Sequence, residues 1–255
     1  MESPSVSIIT VVFNARELLE GTMRSVFSQS WPHIEYIVVD GGSKDGTADL
    51  VRAKDSRIAA WVSEPDKGLY DAMNKGLRMA TGDFVWFLNA GDHLFAPDTV
   101  EKVMKKCGPS TDVLYGEVML VDDARRHLGT RSELSAQKLP AHLTWKSLRL
   151  GMVVCHQAIL VRRSIAPFFI ENNLTADIDW VIQALKKSRE TLHTGLILAE
   201  YLQGGVSKKR HRQSLKDRYA VLRRHYGFFP NIFGHVWILL RATLHRLGRL
   251  GKHHY

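Results

Sequence analysis

The chain has 255 residues, of which 45% are hydrophobic and 24% are charged. These proportions are ordinary for a globular protein with one large domain, alone or with an appendage. The two cysteines, Cys107 and Cys155, have no metal-ligand spacing, which argues against a disulfide framework and favours a reducing, cytoplasmic setting. No basic and then apolar segment precedes the first predicted strand at Val6, so we expect no signal peptide.

The positive charge of the chain is concentrated at its C-terminal end. The formal net charge is +9, and residues 207–255 alone contain twelve Lys or Arg residues and one acid. The rest of the chain is therefore close to neutral. This asymmetry indicates a body with a basic tail that meets something anionic.

Strands and helices are predicted to alternate through about residue 115. Apolar and β-branched runs predict strands at 6–13, 35–39, 58–62 and 83–88 and from 112, and helical spacing predicts helices at 18–27, from 45–47, at 69–79 and from 97. Such alternation is typical of βαβ units and a Rossmann-type, mostly parallel sheet flanked by helices. Because right-handed connections bring the carboxyl ends of parallel strands to one edge, we expect Asn14, Asp40 and Asp92 to meet there.

The stretch from Asp83 to Asp92 combines a buried strand with a polar turn. Five consecutive apolar residues, 84–88, precede Asn89, a small residue, Gly91 and the carboxylate of Asp92. A lone carboxylate on a turn at the sheet edge is a candidate ligand for a divalent cation that carries a phosphate. The alternative is an ordinary turn, which the same residue types favour.

Beyond residue 115 the pattern is less regular. Apolar residues predict a strand at 152–161, with His156 in its middle, and another at 196–202. Asp177 and Asp179 precede apolar residues at helical spacing, where acids favour the N-terminal dipole of a helix. His156 has two interpretations, a buried structural histidine or a contact in an acceptor pocket or metal site.

The tail has a helical period with two contrasting sides. One side carries Ile232, Val236, Leu240 and Leu247, and the other carries Arg241, His245 and Arg249. The apolar run is too short to span a bilayer, whereas a basic amphipathic helix is typical of an interfacial anchor. We therefore expect residues 228–255 to bind an anionic membrane surface, with packing on the body as the alternative. No recognised module accompanies the basic residues, so nucleic-acid binding is not expected.

Four segments together resemble family 2 glycosyltransferases with the GT-A fold. They are, in chain order, 6–14, 38–47 with its Asp-Gly-Gly-Ser-Lys-Asp-Gly-Thr ending, 66–76, and 88–92 with Leu-Asn-Ala-Gly-Asp. The resemblance extends closely over residues 5–105 and loosely over 150–207, and it points to bacterial sugar transferases of colanic-acid, O-antigen and capsule pathways. It implies a transferase domain at 1–206, with a nucleotide-sugar-binding half at 1–115, an acceptor-binding half at 116–206 and a basic helical tail at 207–255.

The resemblance implies that a nucleoside-diphosphate sugar, usually UDP-linked, binds in the crevice at the sheet edge. The donor-binding residues that the family pattern implies are Asn14, Asp40, Asp66, Lys67, Asn74 and Asn89. Asp40 matches the acid that accepts a hydrogen bond from uracil, a role that suits an acceptor-only carboxylate, with turn capping as the alternative. Lys67 suits a point charge near the base or the phosphates.

Family members hold Mn²⁺ or Mg²⁺ against the diphosphate with a D-x-D motif, and the metal neutralises the leaving nucleotide. In this chain Asn89 and Gly91 replace the two acids, so Asp92 is the one carboxylate left there as a metal ligand. Mg²⁺ can be held by one or two carboxylates together with substrate phosphates and water. The resemblance therefore implies a divalent cation bound through Asp92.

The general base of the family matches Asp177, with Ala176 in place of the usual Glu, and Asp179 is the rival candidate. An ionised Asp177 would take the proton of the acceptor hydroxyl as that oxygen attacks the anomeric carbon, which inverts its configuration. Helix capping is the alternative role for both acids. The Q-x-x-R-W motif of processive synthases is absent and residues 203–207 replace it, which indicates transfer of a single sugar.

The whole pattern predicts an inverting, non-processive hexosyltransferase that acts on a lipid-linked or saccharide acceptor in bacterial surface polysaccharide synthesis. The basic tail suits a peripheral position on the cytoplasmic face of the cell membrane. Two other functions stay open on sequence grounds: a nucleotidyltransferase acting on sugar phosphates, and a non-catalytic membrane-binding protein with a degenerate transferase domain. The lack of a Gly-rich, Lys-containing loop after the first strand counts against the nucleotidyltransferase.

Overall fold

The computed structural model describes residues 3–203, 211–232 and 234. The strands are β1 (Val6–Val12), β2 (Ile34–Asp40), β3 (Ala60–Ser63), β4 (Phe84–Phe87), β5 (His93–Leu94), β6 (Thr111–Val121), β7 (His127–Thr130), β8 (Ile159–Arg162) and β9 (Glu190–Leu202). The helices are α1 (Arg16–Phe27), α2 (Thr47–Arg52), α3 (Leu69–Met79), α4 (Thr99–Met104), α5 (Arg131–Leu134), α6 (Ala176–Lys187) and α7 (His211–Tyr226). The predicted alternation of strands and helices through residue 115 is confirmed.

The strands of the described chain form one mixed sheet in the order β3-β2-β1-β4-β8-β6-β9-β5, with β7 paired to β6. Strands β1–β4, β6 and β9 share one direction, and β5, β7 and β8 run against them. The prediction of a mostly parallel sheet flanked by helices is therefore confirmed. The antiparallel β8 separates the regular first half of the sheet from the second half.

Both faces of the sheet are buried, as continuous apolar runs require. Ile8 and Ile9 point to opposite faces, because side chains alternate along a strand, and both are fully buried. Helices α1, α2 and α4 cover the face that contains Trp86, and α3, α6 and α7 cover the face that contains Phe87, where Trp180 of α6 packs. Truncation of a fully buried Trp costs about 3–5 kcal/mol, so each ring anchors one of the two layers.

The register of the parallel strands places their carboxyl ends side by side. Val12 is the register partner of Asp40, and Asp40 is the partner of Ser63. The chain after β4 follows β1 further, because the Ala90 N–H donates to the Val11 carbonyl at 3.2 Å. The predicted shared edge is therefore confirmed, and it is the place for a ligand crevice.

The predicted strand at 152–161 is wrong over most of its length. The strand covers Ile159–Arg162, and His156–Ala158 form a 3₁₀ turn instead. A hydrogen bond from β4 stabilises the turn, since the Trp86 indole donates to the Gln157 carbonyl at 2.9 Å. Such a bond leaves no trace in an apolar run of sequence. The last strand is also longer than predicted and begins at Glu190.

Helix α7, in the basic tail, packs on the body of the protein. Val221 and Leu222 of α7 are buried in the same core as α6. The Asp217 carboxylate accepts the Leu174 N–H at 2.9 Å, just before α6 begins. Helix α7 therefore contacts the body directly, and the boundary at residue 206 stays a prediction.

The predicted amphipathic helix of the tail falls mostly outside the described residues. Ile232 is described and is 37% exposed, whereas Val236, Leu240, Arg241 and their helical neighbours are not. Over the described ranges, no helix combines the length and hydropathy that crossing a bilayer demands.

Candidate active site

Asn14 closes β1 and ties it to the loop after β2. Its φ of 47° is left-handed, a conformation that Asn adopts more readily than most residues. Its N–H donates to Ser43 Oγ at 2.7 Å, and its side-chain oxygen accepts the Lys44 N–H at 2.9 Å. The residue is exposed at the edge of the crevice, where its contact with a donor stays a prediction.

Asp40 caps the end of β2. Its carboxylate accepts the Ser63 hydroxyl at 2.6 Å and both the N–H and the hydroxyl of Ser43. The residue is fully buried, and both carboxylate oxygens accept hydrogen bonds from within the fold. The structure therefore favours the turn-capping alternative over the predicted base contact, because the loop folds back on its own acid.

Two side chains flank Gly41 at the same edge. The Phe13 ring is 62% exposed, and it lies beside Gly41 together with the Asp66 carboxylate. A Cβ on Gly41 would collide with that carboxylate, so glycine is required for the close approach. Lys67 is exposed on the same loop, and its N–H donates to Asp71 at 2.9 Å. An aromatic face, an acid and a cation therefore surround the place predicted for the nucleotide.

The side chain of Asn74 has a structural role. It is buried on α3, where its amide donates to the Phe169 carbonyl at 2.9 Å and accepts the Phe169 N–H at 2.7 Å. Both ends of the amide therefore hold the segment before α6 against α3. The buried amide finds its partners within the fold, and a contact of Asn74 with the donor stays a prediction.

The turn from Asn89 to Asp92 connects β4 to β5 and contacts the end of β9. Asp92 is 5% exposed, and its two oxygens accept the Gln157 amide at 2.9 Å and the Leu202 N–H at 3.1 Å. Asn89 Oδ1 is buried and has no partner within the described protein. A buried acceptor without a bond is unfavourable, so Asn89 is a candidate contact for a ligand.

Asp92 is a weak acid in this setting. Burial raises the pKa of Asp92 to about 7, although the bonds from Leu202 and Gln157 and the charge of Arg125 act in the other direction. Arg125 reaches the turn from the β6–β7 hairpin, and its guanidinium donates to the Gly91 carbonyl. A fixed cation therefore lies beside the turn, in a hairpin that sequence patterning did not predict.

The oxygen atoms of this turn make a sparse metal site. Among residues 3–203, 211–232 and 234, no group of three or more His, Cys, Asp or Glu side chains is arranged to hold a metal ion. Asn89 Oδ1 and the Asp92 carboxylate offer two hard oxygen ligands. Such a pair suits Mn²⁺ or Mg²⁺ when a diphosphate and water complete the coordination shell. Both Asp92 oxygens already accept hydrogen bonds from Gln157 and Leu202, so a divalent cation at this turn stays a prediction.

Asp177 lies in the first turn of α6, as predicted. One oxygen accepts the Ile178 N–H at 2.9 Å and has a long contact of 3.5 Å with the Tyr70 hydroxyl. The other oxygen has no hydrogen bond to the described residues. Burial raises the pKa of Asp177 to about 6, with the hydrogen bonds acting in the other direction. Such a carboxylate is a stronger base than an exposed aspartate.

Asp179, the rival candidate, is bound inside the protein. It is fully buried, and its oxygens meet His225 Nε2 at 2.6 Å and the Gln183 amide at 2.5 Å. His225 belongs to α7, so this contact fastens α7 to α6. The carboxylate of Asp179 is buried and bonded on both oxygens, so its role in this structure is structural, and a role as base stays a prediction.

Asp92 of the Asn89–Asp92 turn and Asp177 of α6 both influence the ionisation of Cys155 and Tyr201. Burial is the main cause of the raised pKa of the Cys155 thiol and of the Tyr201 hydroxyl, each of which reaches about 12. The charges of Asp92 and Asp177 raise both values further. The two acids are far apart in sequence, and a chain of contacts through Gln157, His156, Phe169 and Tyr70 links them.

Three residues of this site escaped the sequence predictions. Gln157 links the two sides, because its amide donates to Asp92 and accepts the Cys155 thiol at 3.0 Å. Tyr70 lies in a segment that resembles the family, but its contact with Asp177 depends on the packing of α3 on the chain before α6. Phe13 carries a readable signal, since it is a large aromatic residue at the end of a strand that leads into an exposed turn.

These features define an α/β protein whose ligand crevice lies at the carboxyl edge of its sheet, with acids on both sides. The sequence comparison is more specific. Residues 7–167 match the family Glycosyl transferase family 2, and the chain belongs to this family of glycosyltransferases.

Two relatives and one solved structure show how far the likeness extends. The chain is 31% identical over 248 residues to an uncharacterized glycosyltransferase of Mycobacterium tuberculosis strain H37Rv, covering 92% of this chain and 90% of that one. A PGL/p-HBAD biosynthesis glycosyltransferase of Mycobacterium bovis BCG is 29% identical over 218 residues, covering 81% and 80%. S. aureus TarS 1–349, solved with UDP-GlcNAc, matches with a TM-score of 0.69 at 18% identity over 86% of this chain. The chain spans 64% of the length of that structure, and this match shows the GT-A fold alone.

Proposed function

We propose that this protein transfers a single sugar, with inversion, from a UDP-linked donor to a hydroxyl of a lipid-linked or saccharide acceptor in bacterial surface polysaccharide synthesis. The observation that carries the proposal is Asp177, a carboxylate with one free oxygen and a raised pKa. We place it across the proposed crevice from the Asn89–Asp92 turn, where the family pattern places the diphosphate. A base at one side and a leaving-group site at the other are what a displacement at an anomeric carbon requires.

The nucleotide is proposed to bind at the ends of β1 and β2. The exposed Phe13 ring offers a face on which a base can stack, the Asp66 carboxylate lies beside Gly41 together with this ring, and the exposed Lys67 follows Asp66 in the chain. Asn14 shapes the wall of this part of the crevice. The complex of TarS with UDP-GlcNAc supports a uridine nucleotide as the first donor to test.

The diphosphate is proposed to lie at the Asn89–Asp92 turn. Asn89 Oδ1 and the Asp92 carboxylate would hold Mn²⁺ or Mg²⁺ there together with the phosphates. When bound, the cation neutralises the charge of the departing nucleotide. The guanidinium of Arg125, which donates to the Gly91 carbonyl, supplies a second positive charge at the same turn.

Asp177 is proposed to act as general base. The acceptor oxygen forms a bond to the anomeric carbon while the bond from that carbon to the phosphate oxygen breaks. The hydroxyl proton goes to Asp177, and the bonding electron pair leaves with the nucleoside diphosphate. Tyr70 lies against Asp177 and restricts the orientation of its carboxylate. One displacement of this kind inverts the anomeric centre, and without a Q-x-x-R-W motif the product is released after one addition.

The acceptor is proposed to be presented at the inner face of the cell membrane. Phe228 and Phe229 are 46% and 71% exposed, and the Arg223 guanidinium lies 5.3 Å from the centroid of the Phe228 ring. Exposed apolar side chains next to cations suit an anionic bilayer surface. The M. bovis relative, named for PGL/p-HBAD biosynthesis, supports a biosynthetic role.

Calorimetric titration of the full chain with a nucleotide-sugar panel tests this proposal. We expect UDP-glucose, UDP-galactose or UDP-GlcNAc to bind more tightly than GDP-mannose or dTDP-glucose, and Mn²⁺ or Mg²⁺ to strengthen binding. With a membrane extract as acceptor source, turnover should release UDP. Release of pyrophosphate from a nucleoside triphosphate, or no binding of any sugar nucleotide, would overturn the proposal.

A further inference from the structure

We infer that the imidazole of His156 binds the transferred sugar, through a hydrogen bond to one of its hydroxyl or acetamido groups. This inference rests on the proposed function and extends it, because it names a residue that contacts the sugar. It is drawn from the surroundings of the ring and from its position between the two sides of the crevice.

The His156 ring is held in a cage of aromatic side chains. Ring centroids lie 5.4 Å away at Phe87, 5.6 Å at Phe169 and 5.5 Å at Trp180. The residue is 7% exposed, and its Nε2 has no hydrogen-bond partner within the described protein. An apolar residue would fill such a cage without leaving a polar atom unpaired. An unpaired ring nitrogen in this position lowers stability, and it indicates that a bound ligand supplies the missing hydrogen bond.

The cage lies between the leaving-group side and the base side of the crevice. On one side, the next residue in the chain is Gln157, whose amide holds Asp92. On the other, the Tyr70 ring stacks on Phe169 at 5.5 Å, and its hydroxyl contacts Asp177. The sugar that moves from a diphosphate to an acceptor must lie between these two acids, and His156 has an unpaired ring nitrogen in the part of the described chain that links them.

The chemistry of the ring suits a sugar better than a phosphate. Burial lowers the pKa of His156 to about 4, so the ring is neutral at physiological pH. A neutral imidazole has one N–H donor and one nitrogen acceptor, which matches a hydroxyl group that both donates and accepts. A diphosphate would favour a cation, and the nearby turn already has Arg125.

A second histidine, the half-buried His93, has an unpaired nitrogen but a different position. His93 Nε2 also has no partner in the described chain. Its ring packs against Gly21 of α1, however, and its Nδ1 lies 3.6 Å from Glu200. His93 therefore lies between α1 and β9, away from the rings beside Asp177.

The substitution His156→Phe tests the inference, because it keeps an aromatic ring and removes both nitrogens. The probes are UDP and whichever of UDP-glucose, UDP-galactose, UDP-GlcNAc and GDP-mannose binds the wild-type protein most tightly, with the matching bare diphosphate if that is GDP-mannose. We expect the Kd of the sugar nucleotide to rise about tenfold, which is one lost hydrogen bond, and the Kd of the bare diphosphate to stay within about twofold. The melting temperature should be equal to that of the wild type or higher, and His156→Gln should recover part of the affinity.

Phe169→Leu is the matched control, since it loosens the same cage without changing a polar group. It should lower the melting temperature and keep the affinity difference between sugar nucleotide and diphosphate. Unchanged sugar-nucleotide affinity in His156→Phe would overturn the inference while leaving the proposed function in place. An equal loss for both probes, or a fall in melting temperature as large as that of Phe169→Leu, would assign His156 to packing. Failure of the wild-type protein to bind any of the four sugar nucleotides would remove the proposed function and this inference with it.

Discussion

The crevice side and the α7 side of helix α6 carry similar acids in opposite surroundings. Asp177, on the crevice side, has a pKa raised to about 6 by burial and keeps one oxygen without a bond to the described residues. Asp179 faces α7, where burial acts to raise its pKa, but the bonds from His225 and Gln183 lower it overall. Two residues apart in a helix means about 200° around its axis, so the two acids meet different neighbours.

This difference in hydrogen bonding suits Asp177 to act as a base and Asp179 to hold α7 against α6. An acid that lacks hydrogen-bond donors holds its proton more tightly and can accept one from a substrate. Asp179 accepts hydrogen bonds from His225 and Gln183, which lower its pKa and fasten α7 to α6. The identity of the residue is the same in both cases, and the packing of α7 and α3 decides between the two roles.

The largest expected effect comes from Asp177→Asn. This change keeps the shape and the bond to the Ile178 N–H but removes the base, so kcat should fall about a thousandfold. The Kd of the donor should stay within about twofold. Steady-state rates and calorimetry on the same preparation measure both quantities. A variant that turns over at the wild-type rate would place the base elsewhere.

Asp177→Asn should also fold, with a free energy of unfolding no lower than that of the wild type. Because the folded pKa of Asp177 lies above the unfolded value of about 3.9, its ionisation costs stability as pH rises from about 4 through 6. Asn lacks this cost. Urea unfolding at pH 8 should therefore find Asp177→Asn at least as stable as the wild type, with a smaller difference at pH 4.

On the α7 side, Asp179→Ala should act on stability. It leaves the buried His225 without its acceptor, so the free energy of unfolding should fall by about 3 kcal/mol. Since the pKa of Asp179 is lowered in the fold, the loss should be full at pH 7 and should shrink as pH falls below about 4. Urea unfolding at both pH values measures it.

Arg224→Ala is the matched control for that pair. Its guanidinium is 3.8 Å from Asp179 and its side chain is 64% exposed, so its removal should cost less than about 1 kcal/mol. Equal losses for Asp179→Ala and Arg224→Ala would contradict the view that Asp179 is an anchor.

The regular half of the fold was predictable because each element carries its own signal. The apolar runs of β1 to β4 and the helical spacing at Leu69–Met79 are local patterns, and parallel connections then align the strand ends. The two-residue β5 has no such pattern, since it forms by pairing with β9. The turn at His156 depends likewise on an indole from a neighbouring strand.

The site was predictable where the motif itself determines the chemistry. Asp177 at the start of α6 follows from the resemblance and a local helix signal. The structural roles of Asp40, Asn74 and Asp179 could not be predicted in this way. Their hydrogen-bond partners, which are Ser63, Phe169 and His225, come from other parts of the chain. Contacts between residues distant in sequence decide whether a polar side chain is free to bind a ligand or is bonded within the protein.

The pH dependence of kcat at saturating donor and acceptor tests the central claim most directly, because it measures the pKa of the base during turnover. With Asp177 as the base, kcat should be level above about pH 6 and should fall about tenfold per pH unit below it. Asp179→Asn, measured on folded protein, should keep the same acid limb. A kcat that stays constant between pH 5 and pH 8 would contradict the assignment of Asp177.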